Sequence, residues 1–139
     1  MKTEAIIIEG HAGALANYPH ARRAGNMLFV SGCSSRRADN THAGVTQNDD
    51  GSVSLDVAEQ TRGVIRNIET VVTAAGGSLA DVVDLTTFLV NMKDYPGYNE
   101  AYNEFFDAQT GPSRTTVAVA QLPHPHLLIE IKAIAVLHD

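Results

Sequence analysis

Ten residues near the end of the chain, LLIEIKAIAV (127–136), set the tightest limit on its fold. One alternating set, Leu127, Ile129, Ile131, Ala133 and Ala135, is wholly apolar, whereas the other, Leu128, Glu130, Lys132, Ile134 and Val136, is half polar. A period of two over such a run is a strand with one face in a core and the other only partly wet. That second face suits a sheet covered by another subunit and lining a site there. The preceding run TTVAVAQL (115–122) also carries apolar residues on both sides, and the two read as strands around the turn PHPH (123–126).

The remaining pattern supplies two helices. Asp56 followed by Glu59 has capping-box spacing, and Val57, Thr61, Val64, Ile65, Ile68, Val71, Val72 and Ala75 recur at three and four residues until Gly76 and Gly77 end the helix. Asp94 with Pro96 opens a second helix whose stripe is Tyr98, Tyr102, Phe105 and Phe106, stopped by Gly111 and Pro112. Strand-like runs are AIIIE (Ala5 to Glu9), NMLFVSG (Asn26 to Gly32) and VVDLTTFLVNM after SLAD, while Ser34 to Ser54 reads as a long polar loop. The order strand, strand, helix, strand, helix, strand, strand predicts an α+β fold, a mixed or antiparallel sheet with two helices on one face.

The chain's 139 residues fit one domain, 1–139, and 44% hydrophobic with 19% charged residues is a globular composition with no apolar run long enough to span a membrane. AIIIE lacks the length of a signal peptide, which makes the cytoplasm the expected location. A single cysteine, Cys33, rules out an intrachain disulfide and a Cys-based zinc site within one chain. A net charge of -6 with ten Lys and Arg argues against broad nucleic-acid binding, and no Gly-rich phosphate motif is present; neither argues against a small carboxylate held by one or two arginines.

Two residues stand out as chemistry. Arg114 enters a strand just after GPS, where a planar fork of donors on a rigid backbone suits a carboxylate, although most arginines are merely solvated. Glu130 lies inside an apolar strand, where burial raises a carboxyl pKa into the range useful for acid–base work unless Lys132 or Arg114 pairs with it. Tyr18 and the strand-end Ser31 and Gly32 are further candidates, each with a packing role as its plain alternative. Cys33 reads as a small filler, the pair His124 and His126 as turn residues with no third metal ligand, and Arg36 and Arg37 as loop cations, either solvated or meeting a second acidic group on a ligand.

GPSRTTVAVAQLP followed by IEIKAIAV resembles the C-terminal motif of the Rid family of reactive-intermediate deaminases, also called the YjgF family. YPHARRAGNMLFVSG and VAEQTRGVIRNIETVVTAAGGSLADVVDLTTFLVNMKDYPGYNEAYNEFF extend the resemblance over nearly the whole chain. It implies a chorismate-mutase-like fold and a homotrimer, or dimer of trimers, around a central barrel with sites at subunit interfaces. The implied chemistry is cofactor-free and metal-free hydrolysis of an enamine or imine beside a carboxylate. Arg114 would clamp the carboxylate, Glu130 would position or activate water, and Tyr18, Ser31, Gly32 and Asn99 would line the cleft.

Three departures, Thr116 where many relatives carry Cys, the long loop with SRRADN, and Lys132 after Glu130, resemble the 2-aminomuconate deaminase subgroup. Such a dicarboxylate asks for a second cation from Arg36, Arg37, Arg22 or Arg23. The alternatives are a general 2-aminoacrylate-type deaminase and a carboxylate-binding protein without turnover.

Overall fold

A computed structural model describes residues 1–138. Its main sheet has six strands in the order β1 (Thr3–Ile6), β2 (Ala21–Ala24), β3 (Met27–Cys33), β8 (Ile129–Val136), β6 (Val82–Leu89) and β7 (Ser113–Ala118). Every pairing is antiparallel except β6 with β7, which are parallel because α2 (Tyr95–Tyr102) carries the chain back between them. A small hairpin of β4 (Val45–Gln47) and β5 (Val53–Leu55) precedes α1 (Val57–Ala74).

β8 occupies the middle of the sheet, and its alternation is the one its sequence predicts. Leu127, Ile129, Ile131, Ala133 and Ala135 are buried, while Leu128, Glu130, Ile134 and Val136 are half-exposed and Lys132 is exposed. The buried set packs beneath Val64, Ile65, Ile68, Val71 and Val72 of α1, together with Leu28 and Val30 of β3 and Leu85 and Leu89 of β6. Each such side chain contributes about 1.5–3 kcal/mol of burial. Asp56 Oδ1 accepts the Glu59 N–H at 3.1 Å, whereas the Glu59 carboxylate pairs with Arg62, so only half of the expected capping box forms.

Three expectations need correction, and one strand carries no pattern from which to expect it. The first strand lies two residues earlier than AIIIE and leaves Ile7 exposed, because Thr3 to Ile6 pair with Ala24 to Ala21. β2 itself, ARRA, is too short and too charged to show a strand pattern; its partners on both sides make it one. The turn around His124 and His126 is no hairpin, since β6 lies between β7 and β8. Asp94 makes no capping bond with its side chain; Asn91 instead accepts the Lys93 N–H at 2.9 Å in the turn just before α2.

Gln60, fully buried on α1, was not anticipated as a structural residue. Its amide donates to His126 O and accepts the Leu128 N–H, both at 2.9 Å, which pins the entry to β8 two residues before Glu130. A buried amide satisfied at both ends fixes the backbone it touches. No helix of the described residues is long and apolar enough to cross a membrane.

Candidate active site

Arg114 lies on β7 opposite Leu85 of β6 and so points to the helix face of the sheet. There α2 has placed three tyrosines around it: the guanidinium carbon is 4.7 Å from the ring centre of Tyr102, 4.8 Å from Tyr98 and 5.6 Å from Tyr95. Its Nη2 donates to the Tyr95 hydroxyl at 3.0 Å. Tyr98 is anchored in turn, its hydroxyl 2.7 Å from Thr87 Oγ1 in the core. Burial pushes the Tyr98 and Tyr102 phenols up, so both stay neutral and the rings act as cation–π partners.

No carboxylate among the described residues pairs with Arg114. The guanidinium borders an open cleft with Asn99, Asn103, Phe106 and Pro112. Asn99 Oδ1 and the Thr116 hydroxyl are buried without a partner. A cation braced on aromatic faces, free of any anion of its own and open on one side is equipped to receive a carboxylate.

Glu130 stands opposite Phe88 on the other face of the sheet, because its parity along β8 is the reverse of the buried set. Within one chain the sheet therefore separates Arg114 from Glu130. Neither anticipated partner reaches it: Lys132 Nζ donates to Val30 O at 2.7 Å instead. Burial alone pushes the Glu130 carboxyl above the ordinary carboxylate range. The carboxylate fills the place of a Gly32 side chain, since a Cβ there would sit 2.7 Å from Glu130 Oε2. The register shift between Val30 and Cys33 bends β3 at this point.

Tyr18, Ser31, Gly32 and Arg36 line a second cleft, between the segment 7–20, the end of β3 and α1. Ser31 is occupied structurally: its hydroxyl donates to Pro19 O at 2.8 Å and its N–H to His20 O at 3.0 Å. Cys33 borders the same cleft, but burial first and then the Glu130 charge push its thiol up to about 12, which removes the thiolate at neutral pH. Arg37 does not line the cleft; it donates to Thr41 Oγ1 at 3.1 Å within its own loop. His11, His20 and Asn67 do line it and were not predicted. The histidines carry no sequence signal beyond nearness to Tyr18, and Asn67 lies outside the apolar stripe of α1.

His124 and His126 serve the turn before β8. The His126 N–H donates to His124 Nδ1 at 3.1 Å, and the His42 ring lies 4.6 Å from that of His124. Among the described residues no group of three or more His, Cys, Asp or Glu is arranged to hold a metal ion.

A family model described as Endoribonuclease L-PSP matches residues 9–137. The chain belongs to the Rid/YjgF family. It is 37% identical over 135 residues, 97% of this chain and 98% of the relative, to the 3-aminoacrylate deaminase RutC of Acinetobacter baylyi. TdcF of Escherichia coli, named as a reactive intermediate deaminase, is 34% identical over 130 residues, 89% of each chain. Its crystal structure with bound serine superposes with a TM-score of 0.79 at 31% identity, covering 97% of this chain and 99% of that one. The yeast protein YEO7 reaches a TM-score of 0.84 at 30% identity, covering 99% and 100%. These likenesses give the Rid fold, the chorismate-mutase-like α+β architecture expected from the sequence.

Proposed function

We propose that this Rid protein is an enamine/imine deaminase acting on a small unsaturated amino carboxylate. The observation that carries the reading is the Arg114 guanidinium, held by three tyrosines, unpaired with any described carboxylate and facing an open cleft. For 2-aminoacrylate the balance is one enamine carboxylate, one water and one proton giving pyruvate and ammonium. Protonation of the terminal carbon gives the imine, water adds to the C=N carbon, and the carbinolamine expels the nitrogen. Arg114 would hold the carboxylate in plane, and Glu130, whose hold on a proton burial strengthens, would carry the proton and orient the water.

Because the sheet separates Arg114 from Glu130 in one chain, the complete site in this reading is shared between copies. The half-exposed apolar face with Phe29, Phe88, Ile134 and Val136 supports a trimer packed through its sheets, with Tyr18, Ser31, Gly32 and Glu130 from one copy meeting Arg114 and Asn99 of the next.

The relatives named above favour the general deaminase over 2-aminomuconate. The dicarboxylate reading needs a second cation, and of the four arginines offered for it Arg22, Arg23 and Arg37 do not line the cleft, while Arg36 lines it bonded to Asn40 and Gly13. A ribonuclease reading asks for a basic groove that a chain of net charge -6 is poorly supplied to build. The test is ammonium release from freshly generated 2-aminoacrylate and 2-aminomuconate, with Arg114→Ala as control. Turnover of 2-aminoacrylate, lost in the variant, supports the reading; binding of carboxylates without turnover of either would replace it by a carboxylate-binding protein.

A further inference from the structure

The segment 7–20 forms one wall of the cleft that passes Gly32 and Cys33 and contains no helix or strand. Side-chain bonds within the segment and from the body hold it in place. His20 Nδ1 accepts the Ile8 N–H at 3.1 Å and its Nε2 lies 2.7 Å from Ala12 O, an arrangement that requires a neutral ring carrying its hydrogen on Nε2. Arg36 Nη2 donates to Gly13 O, and Arg36 Nη1 donates to Asn40 Oδ1 at 2.8 Å. The Arg36 backbone is itself fixed to α1, because Asn67 Nδ2 donates to Ser34 O at 2.8 Å and Arg36 O at 3.0 Å. A continuous line of bonds thus runs from the helix through Asn67 and Arg36 to the segment that carries Tyr18.

We infer that Arg36 and His20 are positioning residues that fasten the strap 7–20 and so place Tyr18 at the cleft, and that loss of Arg36 acts on every substrate alike. Both terminal nitrogens of Arg36 donate to protein oxygens, one of them the Gly13 carbonyl of the strap. Tyr18, with 49% of its surface exposed, has little packing of its own to hold it there, which leaves its place dependent on these anchors. The effect on turnover rests on the deaminase reading, whereas the fastening does not.

The experiment compares wild type, Arg36→Gln, Arg36→Lys and His20→Gln as full-length proteins, by steady-state kinetics on 2-aminoacrylate and 2-aminomuconate and by amide hydrogen exchange. Arg36→Gln is expected to speed exchange across the strap and to lower kcat/KM by roughly three- to tenfold on each substrate that wild type turns over. Arg36→Lys, which can still donate to Gly13 O, should restore most of both, and His20→Gln should reproduce the loss. A rise in KM confined to 2-aminomuconate, with strap exchange unchanged, would make Arg36 a carboxylate ligand and overturn the inference. Unchanged exchange and unchanged kinetics would overturn it as well. Should wild type turn over no enamine, the deaminase reading falls by itself, and the exchange data still decide whether Arg36 and His20 fasten the strap.

Discussion

The Arg114 side and the Glu130 side of the candidate site are built on different foundations. Arg114 is set on a strand and braced by a helix, with three aromatic rings about its guanidinium and Tyr98 tied to the core through Thr87. Glu130 sits on an equally rigid strand against Gly32 at the bulged end of β3, and the cleft that passes Gly32 is walled by a strap held by single hydrogen bonds. The first side is preorganised by packing and the second by polar contacts that solvent can replace. Binding should therefore be insensitive to modest disturbance, while turnover should depend on the less secure side.

The largest effect should come from the braced side. Arg114→Ala should lower kcat/KM by about 100- to 1000-fold, and Arg114→Lys should not restore it, because an ammonium reproduces neither the planar fork nor the stacking on Tyr98 and Tyr102. An active lysine variant would reduce the cage to a simple point charge. Next, Glu130→Gln should reduce kcat by about 100-fold while a carboxylate ligand still binds, as measured by calorimetry; equal loss of binding and turnover would show the two sides to be one.

Mixing the two inactive chains sharpens the comparison further. Under the proposed shared site, randomly mixed oligomers of Arg114→Ala and Glu130→Gln chains should regain activity at about a quarter of their sites, those pairing an intact arginine with an intact glutamate from different copies. No recovery in demonstrably mixed oligomers would overturn the shared site. A smaller change is expected from Tyr98→Phe, which loses the bond to Thr87 and should cost about 1 kcal/mol of stability by chemical denaturation.

The subtlest effect is in the pH dependence of stability. Burial raises the folded-state pKa of Glu130 above its unfolded value, so its contribution to stability is full at pH below the unfolded pKa and is lost as pH rises through the folded one. Glu130→Gln should accordingly melt higher than wild type at neutral pH, with the difference closing as pH falls below the ordinary carboxylate range. A variant that melts lower at neutral pH would mean that the ionised carboxylate is stabilised by its surroundings.

How much of this was legible beforehand varied with the physics involved. α1 was readable almost residue by residue because a long amphipathic helix repeats its signal over several turns, and Val64, Ile65, Ile68, Val71 and Val72 are all buried as expected. β2 was not, because ARRA has no pattern of its own and exists as a strand only through β1 and β3. The hairpin of β4 and β5 was hidden in the same way, with three-residue strands inside a loop rich in turn-forming residues. Among the site candidates, Glu130 stood out as a charge in an apolar strand and Arg114 as a guanidinium at the entry to a strand just after GPS. His20 and Asn67 did not, since a side chain that holds a backbone carbonyl far along the chain leaves no local trace.

Local alternation and helical periodicity, both written in the order of residues, determined the fold class, the faces of β8 and the apolar face of α1. The pairing order of the strands was decided only by tertiary contacts, and with it the fact that β6 separates β7 from β8 and that Arg114 and Glu130 face opposite sides of the sheet. The reason is that a strand's period specifies which residues share a face but carries no information on which neighbour satisfies its backbone hydrogen bonds.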